Sequence, residues 1–143
     1  MSRPIVLLVL ALAACQAAFA AGRLEIAGAW IRTAPPGAMM LAGYATLRNT
    51  GDAPLIVTGA GSDAFGDVSL HGSVSVDGVE RMQALGEVEI APGASVVLAP
   101  GGKHLMLMRP KGGIEVGESI KIHFATKSGE GVAADFVVHD SAP

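Results

Sequence analysis

The feature that most constrains the fold of this chain is a series of short apolar segments, each ended by residues that favour turns. From residue 24 onward, runs rich in Val, Ile and Leu are separated by Gly, Pro, Asp and Asn. No eleven-residue window in this region carries the apolar stripe of an amphipathic helix. Ten strands are predicted, at residues 24–31, 43–48, 55–60, 68–76, 79–84, 88–90, 95–98, 104–109, 119–125 and 132–138. Many short strands at regular spacing are typical of an all-β Greek-key sandwich or barrel of antiparallel strands.

One connection between these strands is marked by the pair Asp77-Gly78. Asp-Gly between two alternating segments favours a two-residue hairpin turn. In that register Val76 faces Val79, and His71 and Met82 become diagonal neighbours on one side of the hairpin. An imidazole and a long thioether can meet across this diagonal, so the two residues are a candidate ligand pair.

A second pattern is the alternation of residues 104 to 108. In a strand, His104, Met106 and Met108 point to one face, while Leu105 and Leu107 point to the other. The leucines supply the core face, which leaves one imidazole and two thioethers on the opposite face. Such ligands suit a soft, monovalent copper ion.

The two patterns combine into a candidate Cu(I) site made of His71, Met82, His104 and Met106. Two imidazole nitrogens and two thioether sulfurs form a closed ligand set for this ion. A metal-free interpretation stays equally open from the residues alone, because a methionine in a strand usually fills a gap in the core. The remaining His and Met residues are interpreted as packing, supporting or surface residues: Met39, Met40, Met108, His123 and His139.

The first twenty residues resemble a secretory signal, with a basic start at Arg3 and an apolar stretch over 5–14. We therefore expect a signal peptide at 1–20 and one folded domain at 21–143. Two cleavage sites are consistent with the sequence. Ala18-Phe19-Ala20 would release a soluble protein, whereas Leu12-Ala13-Ala14-Cys15 resembles a lipoprotein box in which Cys15 is lipidated. Both predict a folded domain in the periplasm.

Cysteine content and charge exclude several classes of function. Cys15 is the single cysteine, so the folded domain has neither an internal disulfide nor a thiolate ligand. Removal of Arg3 with the leader leaves nine basic side chains against 13 acidic ones. A mildly acidic domain without basic clusters is not expected to bind nucleic acid.

The candidate ligands match the signature of a known family. His71 is followed by ten residues and Met82, then by twenty-one residues and His104-Leu105-Met106. This pattern resembles the PCuAC copper chaperones, as do several other segments of the chain: Ala29-Trp30-Ile31-Arg32, Pro35-Pro36-Gly37, Ala42-Gly43-Tyr44, Asn49-Thr50-Gly51-Asp52 and the run from Pro100 to Met108. The resemblance implies a cupredoxin-like fold and a Cu(I) chaperone for assembly of the CuA centre of cytochrome c oxidase. It implies as partner the copper-accepting oxidase subunit or another assembly factor.

The chain departs from the PCuAC pattern at two places. Many relatives carry a further Met directly after the first His, where this chain has Gly72. Some relatives end in a tail rich in His and Met that helps to bind Cu(II), whereas this chain ends at His139-Asp140-Ser141-Ala142-Pro143. We therefore predict a Cu(I) site without a separate Cu(II) site.

Other functions fit the sequence less well. A blue-copper electron carrier needs a thiolate, and zinc generally selects Cys, His or carboxylate over thioether. The sequence contains no nucleophile elbow, paired-carboxylate pattern or phosphate-binding loop, so an enzyme is not predicted. The alternative that stays open is a secreted β-sandwich that binds a partner without metal. It predicts that His104 and Met106 are buried and well packed.

Overall fold

The computed structural model describes residues 20–143, and the predicted signal peptide lies outside that range apart from Ala20. The described residues form ten strands and no helix, and thus no helix that could cross a membrane. The strands are β1 (Leu24–Arg32), β2 (Met40–Asn49), β3 (Leu55–Gly61), β4 (Phe65–Val76), β5 (Val79–Ala84), β6 (Val88–Ile90), β7 (Ser95–Leu98), β8 (His104–Pro110), β9 (Ser119–Thr126) and β10 (Gly131–His139). The all-β prediction is confirmed.

All ten strands belong to one sheet. Its order is β5-β4-β8-β2-β1-β10-β9-β3-β6, and β7 pairs with the second half of β2. Every pairing is antiparallel except that of β1 with β10, which is parallel. The sheet is therefore mixed, whereas the sequence predicted antiparallel strands throughout. A parallel neighbour requires strands far apart in the chain, and local turn signals carry no information about it.

A single hydrophobic cluster joins the two halves of this sheet. It receives side chains from every strand except β5, including strands near both ends of the strand order. The sheet must therefore curve so that both halves cover the same core. In β8 the alternation is complete: Leu105 and Leu107 are 0% exposed, while His104, Met106 and Met108 are half-buried on the other face.

The β4–β5 hairpin extends beyond this core. Its register pairs Val76 with Val79 and His71 with Ala84, which confirms the predicted turn. Asp77 and Gly78 have φ angles of 52° and 76°, as a type I′ turn requires at both central positions. All six residues of β5 are exposed. This strand is thus held by its ladder with β4, not by burial.

A buried asparagine ties the opposite end of β2 to its surroundings. Asn49 is 0% exposed. Its side-chain oxygen accepts hydrogen bonds from the backbone N–H groups of Arg23 and Gly51, at 3.1 and 2.9 Å. Its amide nitrogen donates to the carbonyls of Ala53 and Ile90, at 2.7 and 2.9 Å. Every hydrogen-bonding position of this side chain is therefore used within the fold.

Candidate metal centre

The two candidate histidines lie directly opposite each other. The β4–β8 ladder pairs His71 with His104, and the centroids of the two imidazole rings are 6.0 Å apart with planes inclined by 28°. Sequence reasoning connected His71 only to Met82 in the local hairpin. The direct pairing of the histidines depends on a contact between strands that three other strands separate in the chain.

Both candidate methionines are diagonal neighbours of His71 on the same sheet face. Ser73 pairs with Met82 on β5, and Ser69 pairs with Met106 on β8. Because Ser69, His71 and Ser73 alternate along β4, all three point to one face. His71 is therefore surrounded by His104 opposite and by a thioether on each diagonal. The structure brings the four predicted residues together on one face.

A cleft of about 370 Å³ opens on this face. Met82, His104 and Met106 line it, whereas His71 lies beside His104 and is not part of the lining. Met82 is 58% exposed, and His104 and Met106 are half-buried. The metal-free alternative predicted that His104 and Met106 would be buried and well packed. Their position along an open cleft contradicts that expectation.

The hydrogen bond of His104 leaves one ring nitrogen available. Its Nδ1 lies 3.0 Å from the carbonyl oxygen of Gly102. Because a carbonyl only accepts, Nδ1 must carry the hydrogen, and in the neutral ring the lone pair is then on Nε2. Such a bond from the second nitrogen is how proteins orient metal-ligating histidines.

His71 carries a nitrogen without a partner. Its Nε2 is 3.0 Å from the hydroxyl oxygen of Ser69. Its Nδ1 is buried and has no hydrogen-bond partner within residues 20–143. An unsatisfied buried nitrogen costs about 1–3 kcal/mol, and the large majority of such groups are paired. If Nε2–H donates to Ser69, the lone pair of Nδ1 is free for a metal, so this residue also fits the role of ligand.

Few charges surround the cleft. Among the described residues that line it, Arg32 is the single charged side chain. Its guanidinium lies 5.6 Å from the ring centroid of Trp30 and 6.0 Å from that of Tyr44. Within the described range no three His, Cys, Asp or Glu side chains are grouped as they would be to hold a metal. Apart from the hydroxyls of Thr33, Tyr44 and Ser73, the donors that line the cleft are imidazole and thioether, which favour a soft ion of low charge.

One further methionine lies in this cleft. Core or loop packing was the favoured interpretation of Met40, with a place along a nearby surface as the alternative, and Met40 is 51% exposed and lines the cleft. Its neighbour Met39 does not line the cleft and instead faces a separate groove beside Pro110 and Ile114. The signal that could have found Met40 is its pairing with Met108, which requires knowledge of the β2–β8 register.

Three other residues behave as ordinary structural positions. His123 is exposed on β9, and His139 is half-buried with its ring 6.4 Å from that of Trp30, as predicted for both. Gly72, where many PCuAC proteins carry a methionine, is buried on the opposite face. A Cβ there would lie 3.3 Å from the side chain of Leu85. A methionine at this position would thus point away from the candidate site.

Comparison with known proteins places this chain in a family. A family model described as "Putative lipoprotein LpqE-like" matches residues 24–138, which covers all ten strands but for the last residue of β10. The chain belongs to the LpqE-like family. A curated relative, "Putative lipoprotein Lxx21020" of Leifsonia xyli subsp. xyli (strain CTCB07), is 38% identical over 100 residues. The match covers 69% of this chain and 59% of the relative, so the chain spans little more than half of the relative's length.

Solved structures connect the LpqE-like chain to PCuAC domains. The apo PCuAC domain from PmoF1 has a TM-score of 0.68 and 26% identity, and the match covers 85% of this chain and 96% of that one. The solution structure of CuI-DR1885 from Deinococcus radiodurans has a TM-score of 0.66 and 27% identity, with 82% and 80% covered. The predicted PCuAC resemblance is therefore confirmed.

Proposed function

We propose that this protein is a copper carrier that binds one Cu(I) ion through His71, Met82, His104 and Met106. The observation that carries this proposal is the register of β4 with its two neighbours, which surrounds His71 with one imidazole and two thioethers on a single face. The unpartnered Nδ1 of His71 supports it, because a metal ligand would satisfy that nitrogen. The name of the CuI-DR1885 structure gives independent support, since that protein carries Cu(I) on a similar fold.

The donor set favours monovalent over divalent copper. Cu(I) is stabilised by thioethers, whereas carboxylates and water suit harder ions. No carboxylate lines the described cleft, and the cationic Arg32 does. A positive charge near the site repels Cu(II) more strongly than Cu(I), because Coulomb energy scales with the charge of the ion.

The exposure of Met82 supports a carrier rather than an enzyme. Met82 lies on a strand in which every residue is exposed, so its thioether can be displaced without opening the core. We propose that an acceptor takes the ion by exchanging ligands one at a time, beginning at this residue. His71, with its buried nitrogen, would be the last ligand to leave.

We further propose that the protein works outside the cytoplasm, in the periplasm. The descriptions of its family and of its curated relative as lipoproteins support a lipid anchor at Cys15, with a soluble form after cleavage at Ala20 as the alternative. The acceptor would be the copper-binding subunit of cytochrome c oxidase, during assembly of its CuA centre, or another assembly factor.

An anaerobic Cu(I) competition titration against a coloured chelator tests this function. We expect one tight equivalent in the wild type. In the Met82→Ala, Met106→Ala double variant the affinity should fall more than about a hundredfold, since loss of a group that merely supports a metal ligand already costs roughly 10- to 100-fold. Met39→Ala is the matched control, because it removes an exposed thioether outside the cleft. Equal binding by the double variant and the wild type would refute the proposed site.

A further inference from the structure

Two further methionines, Met40 and Met108, are grouped with Met106 on the site face. The β2–β8 ladder pairs Met40 directly with Met108 and Ala42 with Met106. Met106 is therefore the diagonal neighbour of Met40, and all three side chains point to the same face. Directly opposite residues have Cβ atoms about 4.5–5.5 Å apart, so these long, flexible thioethers can approach one point.

Core packing does not explain the presence of a methionine at position 40. A methionine that fills a gap in the core is buried, but Met40 is 51% exposed and lines the cleft with His104 and Met106. Ala42, which follows it on the same face, is small and leaves the space toward Met106 open. The exposed thioether therefore faces the cleft from the β2 side, as Met82 does from the β5 side.

We infer that Met40, Met106 and Met108 form a second, all-thioether Cu(I) position next to the His71–His104 site. Three soft sulfur donors without a charge or a proton to lose are a suitable set for Cu(I). The exposed Asp67 lies opposite Met108 on β4, so one carboxylate stands at the edge of this position and attracts a cation. Met40 and Met106 line the cleft, and Met106 belongs to both positions, so an ion can pass from one position to the other through its sulfur. Without an imidazole, the second position binds more weakly than the first. It would serve as the place where copper enters or leaves.

This inference rests on the proposed Cu(I) function but makes a separate prediction about stoichiometry. The test is NMR of the protein labelled with ¹³C at the methionine methyl groups, titrated anaerobically with Cu(I) alone. The first equivalent is expected to shift the methyl signals of Met82 and Met106. The second equivalent is expected to shift those of Met40 and Met108. Met39, adjacent to Met40 but outside the cleft, provides the internal control and stays unshifted.

A double variant, Met40→Leu with Met108→Leu, completes the test. Leucine keeps the apolar volume and removes the sulfur, so the fold is retained and is checked by the remaining methyl spectrum. The second equivalent should be lost and the first should bind as in the wild type. A second equivalent that persists in the double variant, or none in the wild type, would overturn the inference. Failure of the first equivalent to shift Met82 and Met106 would instead overturn the proposed function.

Discussion

Within the described residues, the hydroxyl group of Ser69 makes the one side-chain hydrogen bond to the ring of His71. Partners of this kind fix the ring orientation and the tautomer of a ligating histidine. We expect Ser69→Ala to lower Cu(I) affinity roughly tenfold, measured by competition titration. Ser73→Ala is the matched control, because Ser73 lies on the same strand and face but has no bond to a histidine. Equal losses in both variants would mean that Ser69 does not position the imidazole.

Arg32 offers a second test on the scale of a single residue. Its guanidinium is held over Trp30 and Tyr44 at the wall of the cleft. In Arg32→Gln the repulsion of Cu(II) is removed, so the reduction potential of the bound copper should fall by a few tens of millivolts. Redox titration of the copper-loaded protein measures this shift. Arg48→Gln, an exposed arginine near the other end of β2, should leave the potential unchanged.

The β4–β5 hairpin is the element that carries Met82, the most exposed of the four proposed ligands. Gly78 holds a φ of 76° in its turn, a conformation that costs other residues about 1–2 kcal/mol. Because β5 contributes nothing to the core, Gly78→Ala should loosen the hairpin locally. We expect faster hydrogen exchange over Val79–Ala84 and weaker Cu(I) binding, with little change in the global unfolding midpoint.

The control for this variant is a second glycine with a positive φ angle, at which another residue would be strained. Gly117 has a φ of 88° in the turn before β9, so Gly117→Ala introduces similar strain away from the site. It should leave Cu(I) affinity and exchange in β5 unchanged. A uniform loss of protection across the sheet in Gly78→Ala would show that the hairpin is coupled to the core after all.

Local sequence patterns predicted the strands, but they carried no information about which distant strands pair with each other. Turn residues marked all ten strands, and the Asp77-Gly78 signal yielded the correct hairpin register. The first residues of β2 and β4 were missed, because Met40 follows a Pro-Gly loop and Gly66 interrupts the apolar run. Pairing of β8 with β4 and β2 depends on the whole fold. For that reason the facing of the two histidines and the pairing of Met40 with Met108 were not predictable.

On the scale of the whole molecule, the proposed copper site and the buried Asn49 lie toward opposite ends of β2. Met40 and Asn49 are nine residues apart, which is about 30 Å in an extended strand. Removal of the Asn49 side chain would leave the carbonyls of Ala53 and Ile90 without their present partner. Asn49→Ala should therefore lower the free energy of unfolding by about 2–4 kcal/mol, measured by urea denaturation.

The Cu(I) affinity should not fall with this loss of stability in Asn49→Ala. At temperatures where Asn49→Ala is still folded, we expect its Cu(I) affinity to equal that of the wild type. Thr50→Ala, which removes an exposed 3.4 Å hydrogen bond to the carbonyl of Arg23, should change the free energy of unfolding little. A fall in copper affinity that tracks stability across these variants would show that the two ends of the sheet are not independent.

Substitutions on the two faces of β8 have different consequences for the fold. Leu105 and Leu107 are fully enclosed and determine how the strand sits in the sheet. The leucines thereby also fix the positions of residues 104, 106 and 108. These three residues do not belong to the hydrophobic cluster of the core. Their side chains can therefore be exchanged without repacking the interior. The same scaffold could present imidazoles or carboxylates in place of thioethers, and its metal selectivity could be redesigned one alternate residue at a time.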